Sequence, residues 1–305
     1  MSAASEAAPD WWQIAILAPA TQAEQIAEAL TPLVYGGVAS HPAVAPIEGT
    51  EEYLLPAGSP TQVIGYLPVD EALDARRAEI RALLRDHWPN APFAEGDLQD
   101  EDWSETWKAH FRALRVGNVV VRPAWRQHKL RPGDIEVVLD PGMAFGTGDH
   151  PTTRACLRGV VRHLRPGMRV FDLGTGSAIL AIAAAKLGAA AVLGVDIDEL
   201  AVQAARVNVR DNGVAASVAI ELGGLDHASV AAFGAADLVL ANLNSALHVQ
   251  LAAGILATVK PGCCIVASGV GSAGLRGVTQ AYRAAGASAL SVRNLGEWRA
   301  LTITK

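Results

Sequence analysis

The sequence predicts an α/β protein, a doubly wound, seven-stranded sheet with helices on both faces, preceded by a small α+β domain. Three observations carry this expectation. The stretch Arg169–Asp198, RVFDLGTGSAILAIAAAKLGAAAVLGVDID, reads strand, glycine turn, helix, strand. Beyond it, apolar runs of strand length alternate with helical ones to the end of the chain. Before it, residues 1–97 follow the order strand, helix, strand, strand, helix, strand, which suits a ferredoxin-like domain.

In chain order, Trp11–Ala18 reads as a strand and Thr21–Leu33 as a helix. Tyr53–Leu55 and Gln62–Pro68 read as strands, Asp70–His87 as a helix with acids at its amino end, and Phe93–Asp97 as the last strand of this domain. Residues 98–115 form an expected helical connector. There DEDWSETWKAHFR brings Trp103, Trp107 and either His110 or Phe111 to one helical face. Residues 116–305 make the second domain, beginning with an expected hairpin of Asn118–Val121 and Ile135–Leu139 around the turn Arg131–Asp134.

Asp140–Thr153, DPGMAFGTGDHPTT, is too rich in glycine and proline for a regular element. Its glycines allow close backbone approach, and Phe145, Asp149, His150, Thr152 and Thr153 supply groups that could wrap a ligand. A helix Arg154–His163 follows, with Thr152 or Thr153 as its expected cap. In the central unit, Val170 and Phe171 suit a buried strand, the chain breaks at Gly174-Thr175-Gly176, the helix stops at Gly188, and Ala190–Val195 ends in Asp196. Then come helix Glu199–Asn212, strands Ser217–Leu222 and Asp237–Ala241, helix Ala246–Val259, strand Cys263–Ser268 and helix Ser272–Ala285. Strands Leu290–Asn294 and Arg299–Thr304 close the sheet as an antiparallel edge.

The glycine turn lies at the carboxyl end of its strand, where open α/β sheets bind ligands. Gly174 and Gly176 let the backbone approach a ligand, and Asp196 stands where a carboxylate accepts from a ribose diol. A nucleoside site is implied. Asp172, at the end of the first strand, would repel a pyrophosphate but suits an ammonium group, which favours S-adenosylmethionine over a dinucleotide.

Composition narrows the choices. Half of the 305 residues are hydrophobic, enough for two cores, and the net charge of −6 offers no broad attraction to nucleic acid. Cys156, Cys263 and Cys264 have neither metal-ligand nor redox spacing. Neither a signal core nor a membrane-length apolar run is read, so a cytoplasmic protein is expected.

The segments DPGMAFGTGDHPTT, DLGTGSAILAIAAAKLGA, GVDID and ADLVLANL, in this order, resemble the PrmA family of ribosomal protein L11 methyltransferases. The resemblance extends to the first domain and the WSETW connector, and it implies a Rossmann-like class I methyltransferase using S-adenosylmethionine. It further implies cofactor contacts from Thr153, Gly174, Asp196 and Asn242, with Phe145 and His150 lining the cavity. The implied protein substrate is ribosomal protein L11, methylated on an α-amine or on lysine amines, with residues 1–97 recognising it. Asn242 would then be the catalytic residue, its side-chain carbonyl aiming the acceptor amine. Two departures stand out, Asp149 where many members have Thr, and Leu243-Asn244-Ser245 after Asn242. The alternatives are a class I methyltransferase with another protein or a small molecule as substrate, and a nucleoside-binding module without turnover.

Overall fold

The computed structural model describes residues 11–42, 45–46, 53–54, 60–98, 113–139 and 150–305. The chain divides into two compact units, Met1–His110 and Phe111–Lys305.

In the first unit, β1 (Trp11–Pro19) is followed by α1 (Ala20–Leu30), which tightens into a 3₁₀ turn at Thr31–Leu33 around Pro32. Next come β2 (Tyr35–Pro42), the short β3 (Ala45–Pro46) and β4 (Tyr53–Leu54), β5 (Pro60–Pro68), α2 (Leu73–His87) and β6 (Phe93–Leu98). The antiparallel sheet runs β2-β5-β1-β6, the ferredoxin-like order. Trp12, Ile14 and Ile16 alternate inward from β1 and meet Ile26 and Leu30 of α1 and Ile80 and Leu84 of α2. One expectation needs correcting. The second strand of the sheet is Tyr35–Pro42, a glycine-containing run without apolar alternation, whereas Tyr53–Leu54 only pairs with Ala45–Pro46. Leu55 and the aromatic face of the connector lie outside the described residues.

The second unit opens with β7 (Leu114–Val116), β8 (Val119–Pro123) and β9 (Ile135–Leu139). The expected hairpin of β8 with β9 is not formed, because these strands are parallel. The antiparallel partner of β8 is β7, reached through Gly117 at φ +60°. The turn at Arg131–Asp134 serves another purpose. Asp134 receives both Arg115 Nη atoms at 2.5 and 2.8 Å and the Arg131 amide at 2.5 Å, pinning the segment that leads into β9.

The main sheet consists of β10 (Arg169–Leu173), β11 (Ala191–Asp196), β12 (Val218–Leu222), β13 (Ala236–Asn242), β14 (Val259–Gly271), β15 (Ala289–Leu295) and β16 (Trp298–Thr304). Its order is β12-β11-β10-β13-β14-β16-β15, parallel except that β16 runs antiparallel to both its neighbours. One face carries α3 (Pro151–His163), α4 (Ile179–Lys186) and α5 (Glu199–Asp211) over Val170, Leu238, Leu240 and Val266. Cys156 of α3 is wholly buried in that layer. The other face carries α6 (Ala228–Phe233), α7 (Ser245–Ala257) and α8 (Leu275–Ala284) over Phe171, Val239 and Ile265. Helix α4 is apolar almost all round and buried from Ile179 to Ala184, so it is held by packing rather than by an amphipathic face.

Candidate active site

At the carboxyl end of β10 the chain passes through Gly174 and Gly176 at φ +70° and +52°, and then Ala178 at +63°. A non-glycine residue in this left-handed region is strained, and such strain collects at functional sites. The turn is tied to the next strand. Amides of Gly174 and Thr175 both donate to the Val195 carbonyl, at 2.9 and 3.0 Å. Asp196, which ends β11, accepts from the Gly176 amide at 2.8 Å and from the Asp198 amide at 3.1 Å, while Asp198 caps α5 through the Leu200 amide at 2.9 Å. Burial raises the Asp196 pKa against the pull of these amides. A carboxylate offers about four acceptor positions, so lone pairs remain for further donors. A Cβ on Gly174 would fall 2.7 Å from Leu243 Cδ2, so glycine lets the turn close on the residue that follows β13.

Asp172 lies one strand position before this turn and is almost fully buried. Its Oδ2 accepts from Thr175 Oγ1 at 2.8 Å. Burial pushes its pKa up to about 7, the charge of Asp196 adds to this, and bonds from Thr175 and from the Ala181 amide of α4 oppose it. Burial, and secondarily Asp172, also push up the Cys156 thiol.

Across the sheet, Asn242 ends β13 and donates from Nδ2 to Thr153 Oγ1 at 3.4 Å. Its Oδ1 is buried and has no partner among the described residues. The cap of α3 corrects an expectation. Helix α3 starts at Pro151, and His150 caps it, Nδ1 accepting from the Thr152 amide at 3.3 Å and lying 2.6 Å from Thr152 Oγ1. Thr152 and Thr153 are both buried inside the first turn. The His150 ring meets Trp298 edge-on, centroids 4.9 Å apart. Asn244 caps α7 through the Leu247 amide at 2.8 Å.

Asp172, Gly174, Gly176 and Asp196 therefore come together at the strand ends, as do Thr153, His150 and Asn242 beside them. Phe145 and Asp149 lie outside the described residues. Sequence reasoning missed Ala178, Thr175, Trp298 and Ser268. The strand expected at Cys263–Ser268 ended on Ser268, so the signal was present for that residue alone. Among the described residues there is no group of three or more His, Cys, Asp or Glu placed to hold a metal ion, and no helix long and apolar enough to cross a membrane.

A family model described as ribosomal protein L11 methyltransferase (PrmA) matches residues 10–305. This chain belongs to the PrmA family. A ribosomal protein L11 methyltransferase of Desulfosudis oleivorans is 45% identical over 221 residues, covering 68% of this chain and 71% of that one. One from Pelotomaculum thermopropionicum is 37% identical over 306 residues, covering 96% and 98%. Among solved structures, the ribosomal protein L11 methylase of Lactobacillus delbrueckii subsp. bulgaricus is similar with a TM-score of 0.57 at 28% identity, covering 64% of this chain and 99% of that one. PrmA membership and the doubly wound sheet make the chain a class I methyltransferase, and family and fold imply S-adenosylmethionine as methyl donor. A nucleoside-binding module without turnover is set aside.

Proposed function

We propose that this chain transfers methyl groups from S-adenosylmethionine to amino groups of ribosomal protein L11. The observation that carries the chemistry is the buried Oδ1 of Asn242, without a partner among the described residues, beside the cradle built by Asp196 and the glycine turn. Relatives bearing the name of that activity support the substrate.

The residues present fit the donor. Asp196 would take the ribose hydroxyls, Gly174 and Gly176 would bring bare backbone alongside, and Asp172 would face the aminoacyl ammonium. Thr153, His150 and Phe145 would complete the wall. When bound, S-adenosylmethionine supplies a methyl group on a positively charged sulfur. Burial and neighbouring negative charge hold Asp172 and Asp196 above the usual carboxylate range, and a cation arriving there lowers the cost of ionising them.

Transfer needs a neutral amine with its lone pair aligned, so positioning supplies much of the rate. An α-amine, with a pKa of about 8, has a useful neutral fraction at neutral pH, whereas lysine at about 10.4 must lose its proton in a site that disfavours the ammonium. Asn242 Oδ1 accepts from the amine without adding charge, and Thr153 holds the amide from its other end. We assign recognition of the protein substrate to the first unit. A ribosomal substrate implies a cytoplasmic site of action.

Incubation of the purified chain with labelled S-adenosylmethionine and purified ribosomal protein L11, followed by mass spectrometry, tests this. Methyl groups on its amines are expected. Transfer to other proteins or small molecules of a lysate, but not to L11, would refute the substrate while keeping the cofactor.

A further inference from the structure

One polar atom at the strand ends has no role in the chemistry described so far. Ser268 is wholly buried, and its hydroxyl has no hydrogen-bond partner among the described residues. Native proteins rarely leave such a group unpaired, and one that persists at a site calls for a partner that arrives later.

Its place is specific. Ser268 pairs in parallel register with Asn242, so the two side chains stand side by side on one face of the sheet, at its carboxyl edge. Val266, two residues earlier on β14, packs against Gly159 of α3, which identifies that face as the one bearing Thr153. At Ser268 the strand also changes character. Pairing of β14 with β16 slips between Ala267 and Val270, a bulge with Gly269 at φ +85°, where a Cβ would run into the Leu243 carbonyl. Bulges of this kind re-aim a side chain, and they recur beside active sites.

The backbone behind the hydroxyl is held firmly. The Ser268 carbonyl accepts from the Leu243 amide at 3.1 Å and from His248 Nε2 at 3.0 Å, and His248 Nδ1 in turn accepts from the Tyr282 hydroxyl at 3.0 Å. Carbonyl oxygens only accept, so His248 carries its proton on Nε2, and burial keeps the ring neutral. In this network of Ser268, His248 and Tyr282, the Ser268 hydroxyl alone lacks a partner among the described residues.

We propose that Ser268 is a second catalytic residue, its hydroxyl oxygen and Asn242 Oδ1 together accepting the two N–H groups of a neutral primary amine. This rests on the function proposed above. A neutral primary amine has two hydrogens and one lone pair. One acceptor leaves the nitrogen free to turn about a single N–H direction, whereas two acceptors fix both hydrogens and so fix the lone pair. That pair forms the new N–C bond as the S–C pair returns to sulfur, the sulfonium becomes a neutral thioether, and the methylated ammonium gives its proton to water on release. The arrangement favours the first transfer to an amine. Once a methyl group replaces one hydrogen, a single N–H is left for two acceptors.

The test uses the full chain, S-adenosylmethionine and purified ribosomal protein L11. Ser268→Ala should lower turnover about tenfold or more through lost alignment, leave calorimetric cofactor affinity within about twofold, and leave the melting temperature no lower, since the hydroxyl removed has no partner among the described residues. By mass spectrometry the first methyl group should be slowed more than any later one. Unchanged turnover overturns the assignment. So does a fall in cofactor affinity with turnover intact, which would put the hydroxyl on the cofactor, and so does a lowered melting temperature with turnover and affinity falling together, the signature of a structural role. A wild-type chain that methylates no amine of the protein removes the functional reading and this inference with it, whereas wild-type transfer with an insensitive variant removes the inference alone.

Discussion

Asp172 links the electrostatics of the site to the stability of the chain. Folding raises its pKa from 3.8 to about 7, so between those values the folded chain binds this proton more tightly than the unfolded one. Its contribution to stability is complete below about pH 4 and is lost as the pH rises toward 7. Asp172→Asn cannot titrate. Without cofactor, its melting temperature should exceed that of the wild type by more at pH 8 than at pH 5, and an equal margin at both would show that Asp172 ionises normally. At Asp196 the expected effect falls on binding. Asp196→Ala should weaken S-adenosylmethionine roughly tenfold to a hundredfold in calorimetry and change turnover at saturation little, because ribose contacts are alike in ground and transition states. For Asn242→Ala the reverse holds, with turnover falling more than about tenfold at near-normal cofactor affinity. Asn242→Asp should recover part of its lost rate as pH rises, since the added charge favours the unreactive ammonium; wild-type turnover at neutral pH would reduce Asn242 to a lining residue. Asp172, Asp196 and Asn242 were legible as candidates because each is a polar residue at or next to the end of an apolar strand. Ser268 also ends an expected apolar strand, but that it faces the site was not legible, since this depends on a bulge against β16, a strand later in the chain. Nor was Ala178, because nothing in an alanine announces a left-handed backbone.

At the level of elements, the sequence located strands and helices better than it located their ends or partners. The α3 cap moved from the threonines to His150 because Pro151 suits the first helical position and starts the helix earlier. β2 was invisible since its residues lack alternation and its pairing with β5 is irregular between Tyr35 and Val38. The direction of β9 could not be read either, as a turn signal before a strand does not say which neighbour the strand joins. The cap on α7 offers a test of how separable the elements are. Asn244→Ala removes the bond to the Leu247 amide and should cost about 1 kcal/mol, a melting shift of roughly 2–4 °C, with cofactor affinity unchanged. Weakened cofactor binding in that variant would mean that the start of α7, and not Asn242 alone, shapes the pocket.

Across the whole molecule, each unit has its own apolar core, and the second contains every described residue assigned to the cofactor. A chain of residues 111–305 should therefore fold and bind S-adenosylmethionine but fail to methylate ribosomal protein L11. Full methylation by that fragment would end the assignment of substrate recognition to the first unit. Within the second unit, the burial of Cys156 beneath α3 supplies a clock that needs no added label site. Its thiol meets a reagent only when that helix lifts from the sheet, so its alkylation rate measures the opening, whereas the half-buried Cys263 and Cys264 are open to the same reagent sooner. Because Thr153 and His150 stand at the start of the same helix, S-adenosylmethionine should slow the clock at Cys156 and leave the pair on β14 ticking at its former rate.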